Sequence, residues 1–330
     1  MGDVGLKQHT PTAVHGAFID LHALLRRYGV LFALMGLAIL FGVLRREFLD
    51  PRNLVNLLRQ VSMLTIAATG LTFAMIVGEF DLSFGEVCGL AGVAVTSLLL
   101  AGYGFSTALA CGLLLGAGFG LLNGVMTVKV GIPSFITTLG SMSLAIGFNF
   151  FLTRGQPVYG SFPPEFSALG RGFVGAIPIP VLVAAGVVVV SFVVAERMAI
   201  GRYMYATGGN IVAAMHSGIR VARYRILGLV LSGTYAALAG VILSSRLGSG
   251  QPTAGSGFLL DGFAAAFLGT TVMKDGLPNV IGTLVGVAVL GVLSNGMTLL
   301  GLPYYAENIV KGAVLLGAVT VSRVAARAGR

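Results

Sequence analysis

The sequence predicts an all-α, polytopic membrane protein with about ten transmembrane helices and both termini cytoplasmic, and three observations carry that expectation. Only 10% of the 330 residues are charged, against about 25% in a soluble domain. Hydrophobic residues make up 56% of the chain, and the mean hydropathy is +0.92. The apolar residues come in long runs without alternation, which excludes a β-barrel, so the ~30 Å hydrocarbon layer must be crossed by helices of about 20 residues that satisfy their own backbone groups.

Residues 1–27 are polar, hold three of the four histidines, and show no small-residue cleavage site ahead of a short apolar region, so a retained cytoplasmic tail is expected. Apolar runs then fall at 28–44, 54–77, 84–101, 105–127, 133–152, 178–195, 224–245, 257–273, 278–300 and 304–321, giving a transmembrane domain over 28–321 and a cytoplasmic tail over 322–330. The longest segments between runs are 153–177, expected outside, and 196–223, expected inside. With that orientation 13 of the 21 basic residues are cytoplasmic and 6 are external, as positive charge near membrane spans requires. The external RREFLDPRN stretch argues against it, but the 196–225 region is far more basic. Tryptophan is absent, and Tyr28, Tyr103, Tyr203, Tyr205, Tyr224, Tyr304 and Tyr305 stand at run ends, where an interfacial ring belongs.

The net charge of +9 is scattered between apolar runs, with no basic helix or aromatic stacking surface, so no nucleic acid is expected. Cys88 and Cys111 lie within apolar runs and point to neither a disulfide nor a metal site. No lysine follows a glycine as a phosphate-binding P-loop demands, so no nucleotide cofactor is expected on this chain. H-E-x-x-H and G-x-S-x-G are absent as well, and no catalytic residues are assigned.

The fourth run stacks Gly112, Gly116, Gly120 and Gly124 on one face, suited either to close helix packing or to a glycine-lined pore. GEFDLSFG sets acids between apolar runs, and one membrane thickness counted from Arg59 places Gly78–Phe84 near the cytoplasmic side as a turn or a helix break. Gly78 would break the helix, Asp81 and Ser83 are N-cap candidates, and Ser83 with Glu86 has capping-box spacing. The alternative is that these acids belong to a proton or cation pathway.

Within 196–223, Asn210 can cap a short helix over IVAAMHS that Gly218 ends. Ala213 and Ala214 expose little bulk beside the apolar Ile211, Met215 and Ile219, the form of a helix seated in a partner's groove, or of one lying on lipid headgroups. Polar residues inside the runs, Gln60, Asn123, Thr138, Asn149 and Asn295, are candidates for the translocation pathway or for bonding neighbouring helices. Asp261 and Lys311 are paired with each other or with backbone.

GEFDLSFGEVCGLAGV resembles the G-G-I-D-L-S-V-G segment of the permease subunits of ribose-type ABC sugar importers, and GRYMYATGGNIVAAMHSGIRVARYRI resembles their cytoplasmic loop. The resemblance continues through LSGTYAALAGVILSSRLGSGQPTAGSGFLLDGFAAAFLG and IGTLVGVAVLGVLSNGMTLLGLPYYAENIVKG, covering about residues 50–320. Glu79 and Phe80 stand for the usual Gly-Ile, Glu86 for a small residue, and FLGTTVMKDGLPN, around Lys274, for a more glycine-rich turn. The resemblance implies a homodimeric pore in the bacterial inner membrane, a separate ABC ATPase subunit engaged by the loop at 210–219, and an external, periplasmic solute-binding protein that delivers a monosaccharide or polyol. The competing expectation is an ion-coupled secondary transporter, whose mark would be interrupted helices with embedded charges.

Overall fold

The computed structural model describes residues 21–272 and 276–328. Residues 1–20 of the expected tail, Lys274 in its turn and the last two residues lie outside the described residues. The chain passes through α1 (Leu21–Leu44), α2 (Pro51–Ile76), α3 (Phe84–Leu100), α4 (Phe105–Val125), α5 (Ser134–Thr153) and α6 (Pro164–Arg171). It continues through α7 (Ile179–Phe192), α8 (Ala199–Gly209), α9 (Ile211–His216), α10 (Val221–Leu247), α11 (Phe258–Gly269), α12 (Val280–Leu299) and α13 (Tyr304–Ala328). Each of the ten apolar runs is helical. Among the described residues, α2, α4, α5, α7, α10 and α12 are long and apolar enough to cross a membrane, α4 and α7 with the widened turns Met126–Val130 and Val193–Arg197 that extend them. The described parts of both expected tails belong to α1 and α13, because neither 21–28 nor 321–328 contains a glycine or proline to stop a helix.

The centre of the bundle is α2, buried on all sides from Ser62 to Val77. Asp50 starts it by accepting from the Arg52 amide at 2.7 Å, with Pro51 at the first helical position. Lipid offers no hydrophobic drive between helices, so association rests on close backbone contact through small residues. On that basis α10 lies antiparallel to α2, with Gly70 against Leu231–Tyr235 and Gly228 against Phe73 and Val77. α4 crosses the other side of α10 through the stripe of glycines: Gly116 meets Gly233, Gly120 meets Leu229 and Gly124 meets Ile226. The stripe is thus a helix-packing seam. α3 runs parallel to α10 with Gly240 on the Cys88 carbonyl, and α12 packs on α2 while holding α1, at Gly296 and Phe41, and α11, at Gly286 and Ala265.

The two ends of the bundle differ. One carries α8 and α9 against the ends of α2 and α12. The other carries α6, the strand pair β1 (Val158–Tyr159) with β4 (Ser249–Gly250), and the hairpin of β2 (Phe173–Val174) and β3 (Ile177–Pro178). There Phe166 is fully buried, its carbonyl accepts from the Ser245 hydroxyl, and Arg59 and Arg171 donate to the Arg171 and Arg246 carbonyls at 2.8 and 2.9 Å.

Candidate coupling surface and translocation path

The short helix expected after Asn210 is present as α9. The Asn210 side chain accepts from the Ala213 amide at 3.0 Å, and Gly218, at φ +76°, ends the turn that follows. Ile211, Val212, Ala213 and Met215 are exposed, and Ile219 is half-buried. Ala214 is not part of that face: it is 3% exposed and holds α9 to its own chain. Val212, the most exposed apolar residue of the helix, was not singled out in the sequence, although its place one residue after Ile211 on a two-turn helix was the available signal.

α8, which the sequence did not reveal as a helix, seats α9 on the bundle. Met204 is fully buried among Phe73, Ile76, Val77 and Val280. The Tyr205 hydroxyl shares its one proton between Glu196 at 3.2 Å and the Pro278 carbonyl at 3.0 Å, tying α8 to the start of α12. Burial, reinforced by the Glu196 carboxylate, pushes the phenol's pKa up and keeps it a donor. Gly208 lies so close to the Ile76 carbonyl that no side chain fits, which brings α8 directly under Gly78.

Gly78, at φ +85°, turns the chain out of α2, but the segment does not stay at that end of the bundle. Asp81 lies beside the hydroxyl of Ser232, eleven residues into α10 and about 16 Å along it at 1.5 Å per residue. The turn therefore re-enters the bundle, and α3 is short because it begins within it. Only the first residues of Gly78–Phe84 stay at the end of the bundle that carries α8 and α9. The Ser83–Glu86 capping box does not form, because the Ser83 hydroxyl is held elsewhere. It donates to Asp81 at 2.6 Å and accepts from Asn123 at 2.9 Å, while the same Asp81 oxygen receives the Ser83 amide at 2.9 Å. The carboxylate of Glu79 is buried and paired with Arg225 of α10.

The structure joins two groups of residues that the sequence kept apart. Asn123, Thr138 and Asn149 all meet the re-entrant turn: Asn123 through Ser83, Thr138 with a hydroxyl proton shared between the Ser134 carbonyl at 2.8 Å and the Phe80 carbonyl at 3.2 Å, and Asn149 by donating to the Glu86 carbonyl at 3.4 Å. All three are fully buried. On α5, Thr138 and Asn149 belong to a buried polar stripe with Ser134, Ser141 and Thr153, whose helical spacing was visible in the sequence. Gln60 is exposed and Asn295 exchanges paired amide hydrogen bonds of 2.9 Å with Asn53, so neither joins this cluster.

A second interruption mirrors the first. Between β4 and α11, residues 251–257 form neither helix nor strand. Gly250 lies against Thr96 and Val93 near the far end of α3, whereas Gly255 lies on the Gly85 carbonyl at its beginning. This segment, expected as an external loop, descends along α3, and α11 starts from that depth. Asp261, in its first turn, pairs with Lys311 at 2.9 Å, and Lys311 also holds Glu307 at 2.7 Å, which accepts from Ser294.

A family model described as "Branched-chain amino acid transport system / permease component" matches residues 53–319. The chain is 37% identical over 306 residues to the ribose import permease protein of Bacillus subtilis, covering 92% of this chain and 95% of that one. It is 33% identical to the D-allose transport system permease protein of Escherichia coli K12, over 90% of this chain and 92% of the relative. It is 32% identical to the L-arabinose ABC transporter permease protein of Azospirillum brasilense, over 90% and 87%. No solved structure matches.

Proposed function

The chain belongs to the family described as branched-chain amino acid transport system / permease component, and from that membership we propose that it is the permease subunit of an ABC importer for a monosaccharide or polyol. The single observation that carries the reading is α9: a capped, two-turn helix with Ile211, Val212 and Met215 exposed, mounted rigidly on the end of the bundle. The sugar class rests on relatives named for ribose, D-allose and L-arabinose, because the family description itself names amino acids.

In this reading the protein sits in the bacterial inner membrane with α8 and α9 facing the cytoplasm, crosses about ten times, and hydrolyses nothing. A separate ATPase docks on α9, a periplasmic binding protein delivers the solute at the opposite end, and two copies of the chain enclose the path. Force applied to α9 passes into α8. From there it reaches the Gly78 turn through Gly208 and α12 through Tyr205. Three of the embedded acids are held as ion pairs, Glu79 with Arg225 and Asp261 and Glu307 with Lys311. Asp81 and Glu86 have no cationic partner among the described residues, so the ATP dependence of uptake is what separates this reading from ion-coupled transport.

The test is uptake into proteoliposomes holding the permease with its ATPase and binding protein. Uptake should require ATP and resist a protonophore; accumulation by the subunit alone, driven by an ion gradient, would overturn the assignment.

A further inference from the structure

We propose, on the basis of the importer reading, that the solute path is walled by the re-entrant segment 251–257 and the first turn of α3, with Thr253, Ser256 and Glu86 as its polar lining. Phe80 continues the wall toward the α8–α9 end. The surface is matched to a neutral, hydroxyl-rich solute and set against anionic ones.

Depth supplies the first argument. Gly240, in the outer half of α10, rests on the Cys88 carbonyl, and Gly85 lies three residues, or about 4.5 Å, further in. Gly255 sits on Gly85, so residues 251–257 pass through the middle of the bundle without helix or strand. Thr253, Ser256 and Gly257 are nevertheless exposed. Irregular backbone at that depth does not face lipid; it is either covered by protein or lines water.

Glu86 decides between these two. It is half-buried in the first turn of α3, and among the described residues its carboxylate has no hydrogen bond or ion pair. Glu79, Asp261 and Glu307 have cationic partners, and Asp81 is held by Ser83 through one of its two oxygens. Sealing a lone carboxylate in a dry interface between two copies costs several kcal/mol, whereas a water-filled path solvates it. A carboxylate accepts hydrogen bonds from sugar hydroxyls and repels a carboxylate or phosphate on the solute. Below it Phe80, 44% exposed, stacks on Phe263 at 6.2 Å between centroids, and Phe263 stacks on Phe267 at the same spacing, giving an aromatic floor.

Thr253→Cys and Ser256→Cys, placed singly in a Cys88→Ala/Cys111→Ser background and assembled with the ATPase in proteoliposomes, test the proposal. The probes are an anionic sulfonatoethyl and a cationic trimethylammonioethyl methanethiosulfonate, with Leu114→Cys on the exposed face of α4 as comparator. Both cysteines should react at least an order of magnitude faster than position 114. Adding Glu86→Gln should lower the ratio of cation to anion rates severalfold, because one carboxylate charge acts in opposite directions on the two reagents. Rates no higher than at position 114, the result for a dry interface, or a ratio unmoved by Glu86→Gln, would overturn it. Whether ATP drives uptake in the same vesicles judges the importer reading separately, because labelling does not depend on it.

Discussion

Removing Arg225 should destabilise the protein far more than removing Glu79, and removing both should be milder than the sum. Glu79 is buried where it meets Arg225, its side chain 5% exposed against 24% for the arginine. Two unit charges about 4 Å apart at an effective dielectric of about 20 attract by about 4 kcal/mol. The desolvation of Glu79 and the screening at the exposed edge of Arg225 reduce the expected coupling to about 2 kcal/mol. Arg225→Ala strands a buried carboxylate and should cost about 3 kcal/mol. Glu79→Gly leaves an arginine that can extend to water and should cost about 1 kcal/mol. The double variant should then lose about 2 kcal/mol rather than about 4. Unfolding in mixed micelles, followed by helical circular dichroism because the chain has no tryptophan, measures all three. A double variant whose loss equals the sum of the singles would refute the pairing as what holds the re-entrant turn to α10.

Val212→Glu or Met215→Glu should lower ATP-driven uptake by at least about tenfold, by burying a charge in the partner's groove, while leaving membrane insertion and folding intact. Ala214→Glu should instead unfold the loop, seen as faster proteolysis there, because Ala214 is packed inside its own chain. Gly240→Ala drives a methyl into the Cys88 carbonyl and should cost about 1–3 kcal/mol in the same unfolding assay, whereas Gly118→Ala, with open space around it, should be near neutral. Lys311→Met leaves Asp261 and Glu307 without their cation and should cost about 3 kcal/mol, with Asp261→Asn restoring part of the loss.

Hydropathy made the helices legible, because a membrane span needs the same apolar length whatever surrounds it; all ten runs are helical. The cap at Asn210, the break at Gly78 and the Asp261–Lys311 pair were also legible, since each depends on chemistry local to one or two residues. Depth was not. Loops and re-entrant segments share the same glycines, serines and threonines, so GSGQPTAGSG and GEFDLSFG read as boundaries. Contacts between residues far apart in the chain, Asp81 beside Ser232 and Gly255 on Gly85, show that they are interior. α11, at 12 residues, is shorter than the apolar run 257–273 that marks it. α6 and α8 escaped notice because their apolar anchors, Phe166 and Met204, are single residues in otherwise polar or mixed segments.

The seam between α4 and α10 limits how the molecule can deform. At Gly116 and Gly233 each backbone fills the space where the other's side chain would stand, and one turn on the Leu229 carbonyl fills the place a side chain on Gly120 would take. Sliding either helix by a single residue would bring a side chain to a place only hydrogen fits. The two are therefore locked in register and move as one plank. Any deformation then falls to parts hung from that plank, the stretches at 78–83 and 251–257, which have no helical ladder to break when they shift.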